Sequence, residues 1–271
     1  MSYDYQMTPR SIWRGSISFG LVNIPINVYT ATEDRVFSFN QLCEEGHRIQ
    51  YKRWCPVEER EVPYTEIKKG YEISKDNYVL IEKPDLDKIK IKTTKTIDVK
   101  EFVEAENLDP ILIEKSYYVA PDAKTVDKAY LLFVNVLQNT NKIAIGKVVL
   151  RDKERLIALR AYQRGIVMHQ LHYLEEIKPM DEIKGIQSMT KSKIDEQEIT
   201  LGKTLVANLT SKEFDPGRYS DAYTTQLREM INAKANGKML VVKDQVSETD
   251  SGMDLLEALK ASISKSKRKR S

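Results

Sequence analysis

Residues Ile12 to Leu42, IWRGSISFGLVNIPINVYTATEDRVFSFNQL, decide the fold class, because strand periodicity runs through them between glycine, proline and tryptophan landmarks. Ile17, Phe19 and Leu21 occupy one alternate register, and Val22, Ile24, Ile26 and Val28 the other. The phase changes beside Gly20, where a bulge or sharp coil costs least. The stretch reads as a pair of barrel strands with the bend that a closed sheet requires. Pro25 has no N–H to give a ladder, so it belongs at an edge or facing away from one. Thr30, Glu33 and Asp34 form a polar connection before the strand pattern resumes at Val36-Phe37-Ser38-Phe39.

Working outward, strand-like alternation fills the first two-thirds of the chain and helical periodicity the last third, an α+β order rather than repeating βαβ units. Lys88-Ile89-Lys90-Ile91-Lys92 alternates cleanly and, if extended, sets three lysines on one face as a phosphate tracker. Val126, Tyr130, Phe133, Val134 and Leu137 predict an amphipathic helix over 125–138, packed on the barrel. Residues 143–150, 155–162 and 166–173 read as three strands of a meander, joined at Arg151-Asp152-Lys153-Glu154 and Gln163-Arg164-Gly165. Past Pro179, two helical stripes follow: Ile194, Leu201, Leu205, Val206 and Leu209, then Tyr223, Leu227, Met230 and Ile231. The expected organisation is a barrel core over 1–190 with an insertion at about 41–71, a helical arm over 191–240, and a last segment, 241–271. That segment holds a linker, a short helix over 253–263 and a basic tail, Lys265, Lys267, Arg268, Lys269 and Arg270, too dense in like charge to fold alone.

Composition sets bounds. The chain has 271 residues, enough to bury a sizeable core. Its 43 Lys and Arg against 40 Asp and Glu leave a formal charge of only +3, so a polyanion partner must be read from distribution rather than from the sum. The opening MSYDYQMTPR has no apolar signal region, and no segment approaches the roughly eighteen apolar residues of a membrane span, so a cytoplasmic protein is expected. Cys43 and Cys55 alone make no disulfide framework and fit a reducing compartment.

Motifs for chemistry are weak. Gly202-Lys203-Thr204 is similar to the end of a phosphate-binding loop, but Gln197 stands where the first glycine belongs and the surroundings are helical. His169 and His172 would point to opposite faces of a strand, so a structural role outweighs a shared metal. Cys43, His47 and Cys55 supply three soft ligands, but Glu58 occupies the position where a CxxC pair needs its second sulfur. Glu44-Glu45, Glu58-Glu59 and Glu175-Glu176 read as solvated pairs. No nucleophile context is present, so neither catalysis nor a cofactor is predicted. Basic and aromatic residues are better placed: Arg48, Lys52 and Arg53 lie around Tyr51 and Trp54, with Lys68 and Lys69 beyond. Periodicity alone leaves phosphate contacts and a solvated hairpin equally open.

Trp13, Gly15, the run Ser18-Phe19-Gly20-Leu21-Val22-Asn23, Pro25, Tyr29, Ala31-Thr32-Glu33-Asp34, Phe39 and Gln41-Leu42 together resemble the opening of the prokaryotic Ku proteins. These are the DNA-end-binding factors of bacterial and archaeal non-homologous end joining. The resemblance continues through Arg48-Ile49, Tyr51-Lys52-Arg53, Val62-Pro63-Tyr64, Lys69-Gly70-Tyr71-Glu72, Asp109-Pro110-Ile111, Tyr117-Tyr118, Val148-Val149-Leu150-Arg151 and Ala158-Leu159-Arg160 to Asp254-Leu255-Leu256-Glu257-Ala258-Leu259. It implies a homodimeric ring of barrels and bridging insertions that a double-stranded DNA end threads, touching phosphates and sugars rather than base edges. Candidate DNA contacts are then Arg48, Lys52, Arg53, Lys68, Lys69, Lys88, Lys90 and Lys92, with Lys265, Lys267, Arg268, Lys269 and Arg270 in the tail. Leu255, Leu256 and Leu259 become a docking stripe for the ATP-dependent DNA ligase of the pathway. Many bacterial relatives carry the second cysteine that Glu58 replaces, which argues against zinc in this chain. The pattern alone also permits a ligand- or oligonucleotide-binding barrel with a regulatory arm. A nuclease or lyase acting at DNA ends would need ligands or nucleophiles that the sequence does not display.

Overall fold

The computed structural model describes residues 9–34, 37–89, 95–122, 128–150, 153–189, 194–237 and 255–268, with backbone alone at 255 and 265–268. Gly20 and Leu21 form a two-residue turn between β1 (Trp13–Phe19) and β2 (Val22–Thr30), pairing Phe19 with Val22 and Ile17 with Ile24. The change of phase is therefore a hairpin, and Gly20 takes it at φ 58°, a conformation that side-chain-bearing residues avoid. Pro25 sits one residue before the second ladder of its strand begins, and its carbonyl accepts from the Asp122 amide at 3.1 Å. No N–H is missed there.

In chain order there follow two small hairpins, β3 (Trp54–Cys55) with β4 (Arg60–Glu61) and β5 (Lys69–Ser74) with β6 (Asn77–Ile81), then helix α1 (Lys83–Ile89). Next come β7 (Thr96–Glu104), β8 (Ile113–Pro121), α2 (Lys128–Thr140), β9 (Lys142–Leu150), β10 (Lys153–Tyr162) and β11 (Gly165–Leu171). Seven strands close a barrel in the order β1-β2-β8-β11-β10-β9-β7, sealed by a parallel contact of Ile17 with Ile97 between β1 and β7. The meander of β9, β10 and β11 is present as read from the sequence.

One parity of the barrel strands, Ile17, Ile24, Ile26, Val28, Ile97, Val119, Val148, Ile157, Leu159, Ile166 and Met168, forms the buried core. On α2 Tyr130, Phe133, Val134 and Leu137 join that core, the spacing that made the helix legible. Each such buried side chain contributes about 1.5–3 kcal/mol of transfer free energy. Phe133 stacks on Phe19 at 4.9 Å between ring centroids. The Tyr130 hydroxyl donates to the Val119 carbonyl at 2.6 Å and accepts from the Ile166 amide at 3.2 Å, tying helix to sheet. The opposite parity, Ile143, Ala158 and Leu171, makes a second cluster with Leu108 and Leu112. There Asp109 caps the one-turn helix Pro110–Leu112 by accepting from the Ile111 amide.

Three expectations need correction. Residues 37–39 form no strand, and the Phe37 ring instead lies 5.9 Å from the Arg228 guanidinium. Lys88 is on α1 rather than on an extended face, because Pro84 and Asp85 carry helix-start chemistry and the Asp85 carboxylate accepts from the Glu82 amide. Lys90 and Lys92 lie outside the described residues. The C-terminal helix does not stop at Ile263 but runs over Leu255–Arg268, taking Lys265, Lys267 and Arg268 into regular structure.

The chain divides into two compact units, 1–35 with 39–178, and 36–38 with 179–271. In the second, α3 (Lys184–Ser188) precedes α4 (Glu196–Leu209), α5 (Ala222–Ala235) and α6 (Leu255–Arg268). Asp195 and Glu198 close a capping box on α4, and Asp221 caps α5 through the Thr224 amide. α6 packs against α4.

Candidate nucleic-acid interface

The chain between β2 and β7 supplies most of the predicted contacts, and it is built without a core. From residue 39 to residue 80 only Cys55 and Val62 are even half-buried. Two-residue strands such as β3 and β4 leave their side chains in water on both faces, and an isolated hairpin is marginal by itself. Tyr51, Tyr64 and Tyr71 are 80%, 76% and 69% exposed, and Trp54, Val57, Ile73 and Leu80 are exposed with them. Apolar exposure on this scale marks a surface made to be covered.

Carboxylates hold several of the cations there. Lys52 pairs with Glu61 at 3.3 Å, Lys68 with Glu82 at 3.1 Å and Lys88 with Asp85 at 3.7 Å. Arg48 donates to the Asn40 side-chain oxygen, and the Arg53 guanidinium stands 5.2 Å from the centre of the Tyr64 ring. Lys69 has no ion pair among the described residues. The sequence reading missed Arg60, which bridges Glu66 at 2.8 Å and Glu58 at 2.6 Å; those hydrogen bonds raise its pKa. Exposed pairs like these are weak and screened by salt, so a phosphate can exchange for the carboxylate at small cost. The hairpins thus store cations in defined positions while keeping the local charge near balance.

A second basic and aromatic group lies on the outer wall of the barrel. Arg160 is exposed on β10, its guanidinium 5.5 Å from the centre of the Tyr162 ring, and Tyr162 stacks with Tyr118. Arg160 Nε–H donates to His169 Nε2 at 2.9 Å, so that nitrogen carries no proton and Nδ1–H donates to Ser116 Oγ at 2.8 Å. Burial, with the Arg160 charge second, lowers the His169 pKa. Alternation along Leu159-Arg160-Ala161-Tyr162 was the signal that places Arg160 and Tyr162 on one outward face.

The weaker motifs have the following surroundings. His169 is committed to that cluster, while His172, beyond β11, lies 3.6 Å from Glu176. Cys43 Sγ is 3.7 Å from His47 Nδ1 in an exposed loop, Glu58 is engaged by Arg60, and no metal-holding group of three or more ligands occurs among the described residues. Gly202-Lys203-Thr204 is interior to α4, with Thr204 Oγ1 donating to the Thr200 carbonyl, so no phosphate loop exists there. On α6 Leu256, Leu259 and Ile263 form a half-buried stripe on the helix that packs on α4. The Leu255, Lys265, Lys267 and Arg268 side chains, and Lys269 and Arg270 entirely, lie outside the described residues. No helix among the described residues is long and apolar enough to cross a membrane.

A seven-stranded closed barrel, with exposed hairpins that carry basic and aromatic side chains, is the class of fold that these elements define. Comparison with known proteins places it. The family model of the Ku70/Ku80 beta-barrel domain matches residues 18–201. The non-homologous end joining protein Ku of Heliobacterium modesticaldum is 40% identical over 258 residues, 95% of this chain and 92% of the relative. That of Archaeoglobus fulgidus is 41% identical over 255 residues, 94% of this chain and 98% of the relative, and that of Bacillus subtilis 36% over 261 residues. The chain belongs to the Ku family.

Proposed function

We propose that this chain binds double-stranded DNA ends without sequence specificity, as a ring-shaped homodimer, and serves non-homologous end joining by bringing an ATP-dependent DNA ligase to the end. The observation that carries this reading is the coreless segment from residue 39 to residue 80, in which exposed tyrosines and aliphatic side chains alternate with stored cations. A second copy related by a two-fold axis buries the apolar residues, and the phosphate backbone takes the cations from their carboxylates. The names of the relatives, non-homologous end joining protein Ku, support the same role. Segregation of charge reconciles polyanion binding with a net charge of +3: only the inner wall must be basic, and acids keep the outside soluble. The chain acts as a clamp and not as a catalyst. α6 is the ligase-docking element, with Leu255, Leu256 and Leu259 as its candidate contacts, of which Leu256 and Leu259 are only half-buried within the chain, and the cations from Lys265 to Arg270 add affinity for the duplex.

Competition binding tests this. Unlabelled linear duplexes of unrelated sequence should displace a labelled linear duplex equally, and covalently closed circles should displace it poorly at moderate salt. Equal competition by circles, or preference for one sequence, would overturn the assignment.

A further inference from the structure

The barrel has an open mouth where β1 begins and β2 ends, and its lining departs from the rest of the interior. On β10 Lys153 and Arg155 share the inward parity of the buried Ile157 and Leu159. On β8 Lys115 shares the parity of Tyr117 and Val119, and on β11 Gln170 that of Ile166 and Met168. Three cations and an amide therefore point inward at one end of a barrel whose deeper layers are apolar. They line a cleft of about 390 Å³ together with Trp13 and Tyr117.

The fold arranges this charge by a specific irregularity. Gln170 pairs with Lys115 and Leu171 with Ile113, which leaves Glu114 unopposed in a β-bulge. Bulges at barrel rims re-aim side chains. Here the bulge delivers the Glu114 carboxylate to accept from Gln170 Nε2 at 2.5 Å and to stand 4.0 Å from Arg155 Nη1. Gln170 is only 6% exposed. One carboxylate faces three cations, and Lys115 and Lys153 carry no ion pair among the described residues. Aromatic wall and cationic rim together suit a ligand with a flat ring and a phosphate. The ring packs on aromatic side chains, and the phosphate takes the guanidinium and ammonium donors. An inorganic anion uses the rim alone. A cleft of this size, in a barrel mouth, matches small-ligand sites generally.

We infer that the barrel mouth binds a nucleoside phosphate, either free or as the unpaired terminal nucleotide of a DNA strand. The second source rests on the DNA-end reading above; the first does not.

Trp13 and Trp54 are the two tryptophans of the chain, so a Trp54→Phe protein reports on the mouth through Trp13 emission alone. In that background, the probes are AMP, a short single-stranded oligonucleotide with a 5′-phosphate, and inorganic phosphate. Saturable change in emission with AMP, with the oligonucleotide or with both supports the site, and the arm that saturates names the source. Lys153→Gln with Arg155→Gln should weaken that response at least tenfold; Lys115→Gln with Lys153→Gln is the second variant, should loss of Arg155 prevent folding. Blunt-duplex binding, measured by gel shift against the same background, should be unchanged in either double variant. No saturation by any nucleotide, saturation by inorganic phosphate alone, or a response indifferent to the substitutions would overturn the inference. Failure of the DNA-end reading would register separately, as absence of duplex binding by the unsubstituted protein.

Discussion

Trp13 and Gly15 show how one residue can serve another. A Cβ at Gly15 would stand 2.0 Å from the Lys95 carbonyl oxygen and 2.3 Å from the Trp13 ring, so the indole can lie down only over a glycine. Gly20 differs: nothing lies within 4 Å of its missing Cβ, and its constraint is the backbone alone. Gly20→Ala should therefore cost about 1–2 kcal/mol, the price of a left-handed residue. Gly15→Ala forces backbone to move and should cost at least the upper part of the 1–3 kcal/mol range of overpacking; urea unfolding of both variants gives the order. Tyr130→Phe leaves the Ile166 amide without its buried acceptor and should cost about 1–3 kcal/mol. His169 makes stability depend on pH. Its folded pKa lies below the ordinary 6.5, so the unfolded chain binds the proton more readily. Its contribution is complete above about pH 6.5 and is lost as pH falls through the lowered value. Melting curves between about pH 8 and pH 5 should show this decline, flattened in His169→Gln.

At the scale of elements, what could be read from the sequence depended on burial. α2 and the three meander strands announced themselves because one face of each is inside, and the apolar period records which face. The hairpins from Trp54 to Ile81 have no inside within one chain, so their sequence keeps no period, and only the basic and aromatic composition drew attention to them. Lys88 differs for a related reason: a five-residue alternation of lysine and isoleucine fits a strand, but Pro84 and Asp85 upstream start the helix that takes in Lys88. Periodicity sets Lys153 in a connection and Arg155 at the start of a strand, whereas β10 begins at Lys153, and the inward parity of both becomes meaningful only once the barrel closes. The candidate contacts differ in what a substitution should do. Arg53, held by a ring and not by a carboxylate, should on change to Gln lower the salt dependence of DNA binding by about one counterion. Lys52→Gln also frees Glu61, so its loss of affinity should be matched or exceeded at low salt, where the uncovered carboxylate repels the backbone most. On α6, Leu256→Asp should both expose the amides of that helix to hydrogen exchange and abolish ligase capture in a pull-down. Retained capture would reject the docking assignment.

Across the molecule, a chain of the Ku family with a formal charge of only +3 can serve the proposed polyanion partner only by placing charge rather than accumulating it. On the proposed reading, a second copy covers the exposed aromatic and aliphatic side chains of the hairpins through an isologous two-fold contact. Sedimentation at micromolar concentration should therefore give a dimer, and Tyr71→Asp with Leu80→Asp should shift it toward monomer while the barrel stays folded by circular dichroism. The central claim is that the duplex passes through a closed ring. Protein loaded on a linear duplex that is then ligated into a covalent circle should remain bound through a high-salt wash and be released when the circle is cut. Equal loss from circle and linear duplex in that wash would contradict threading.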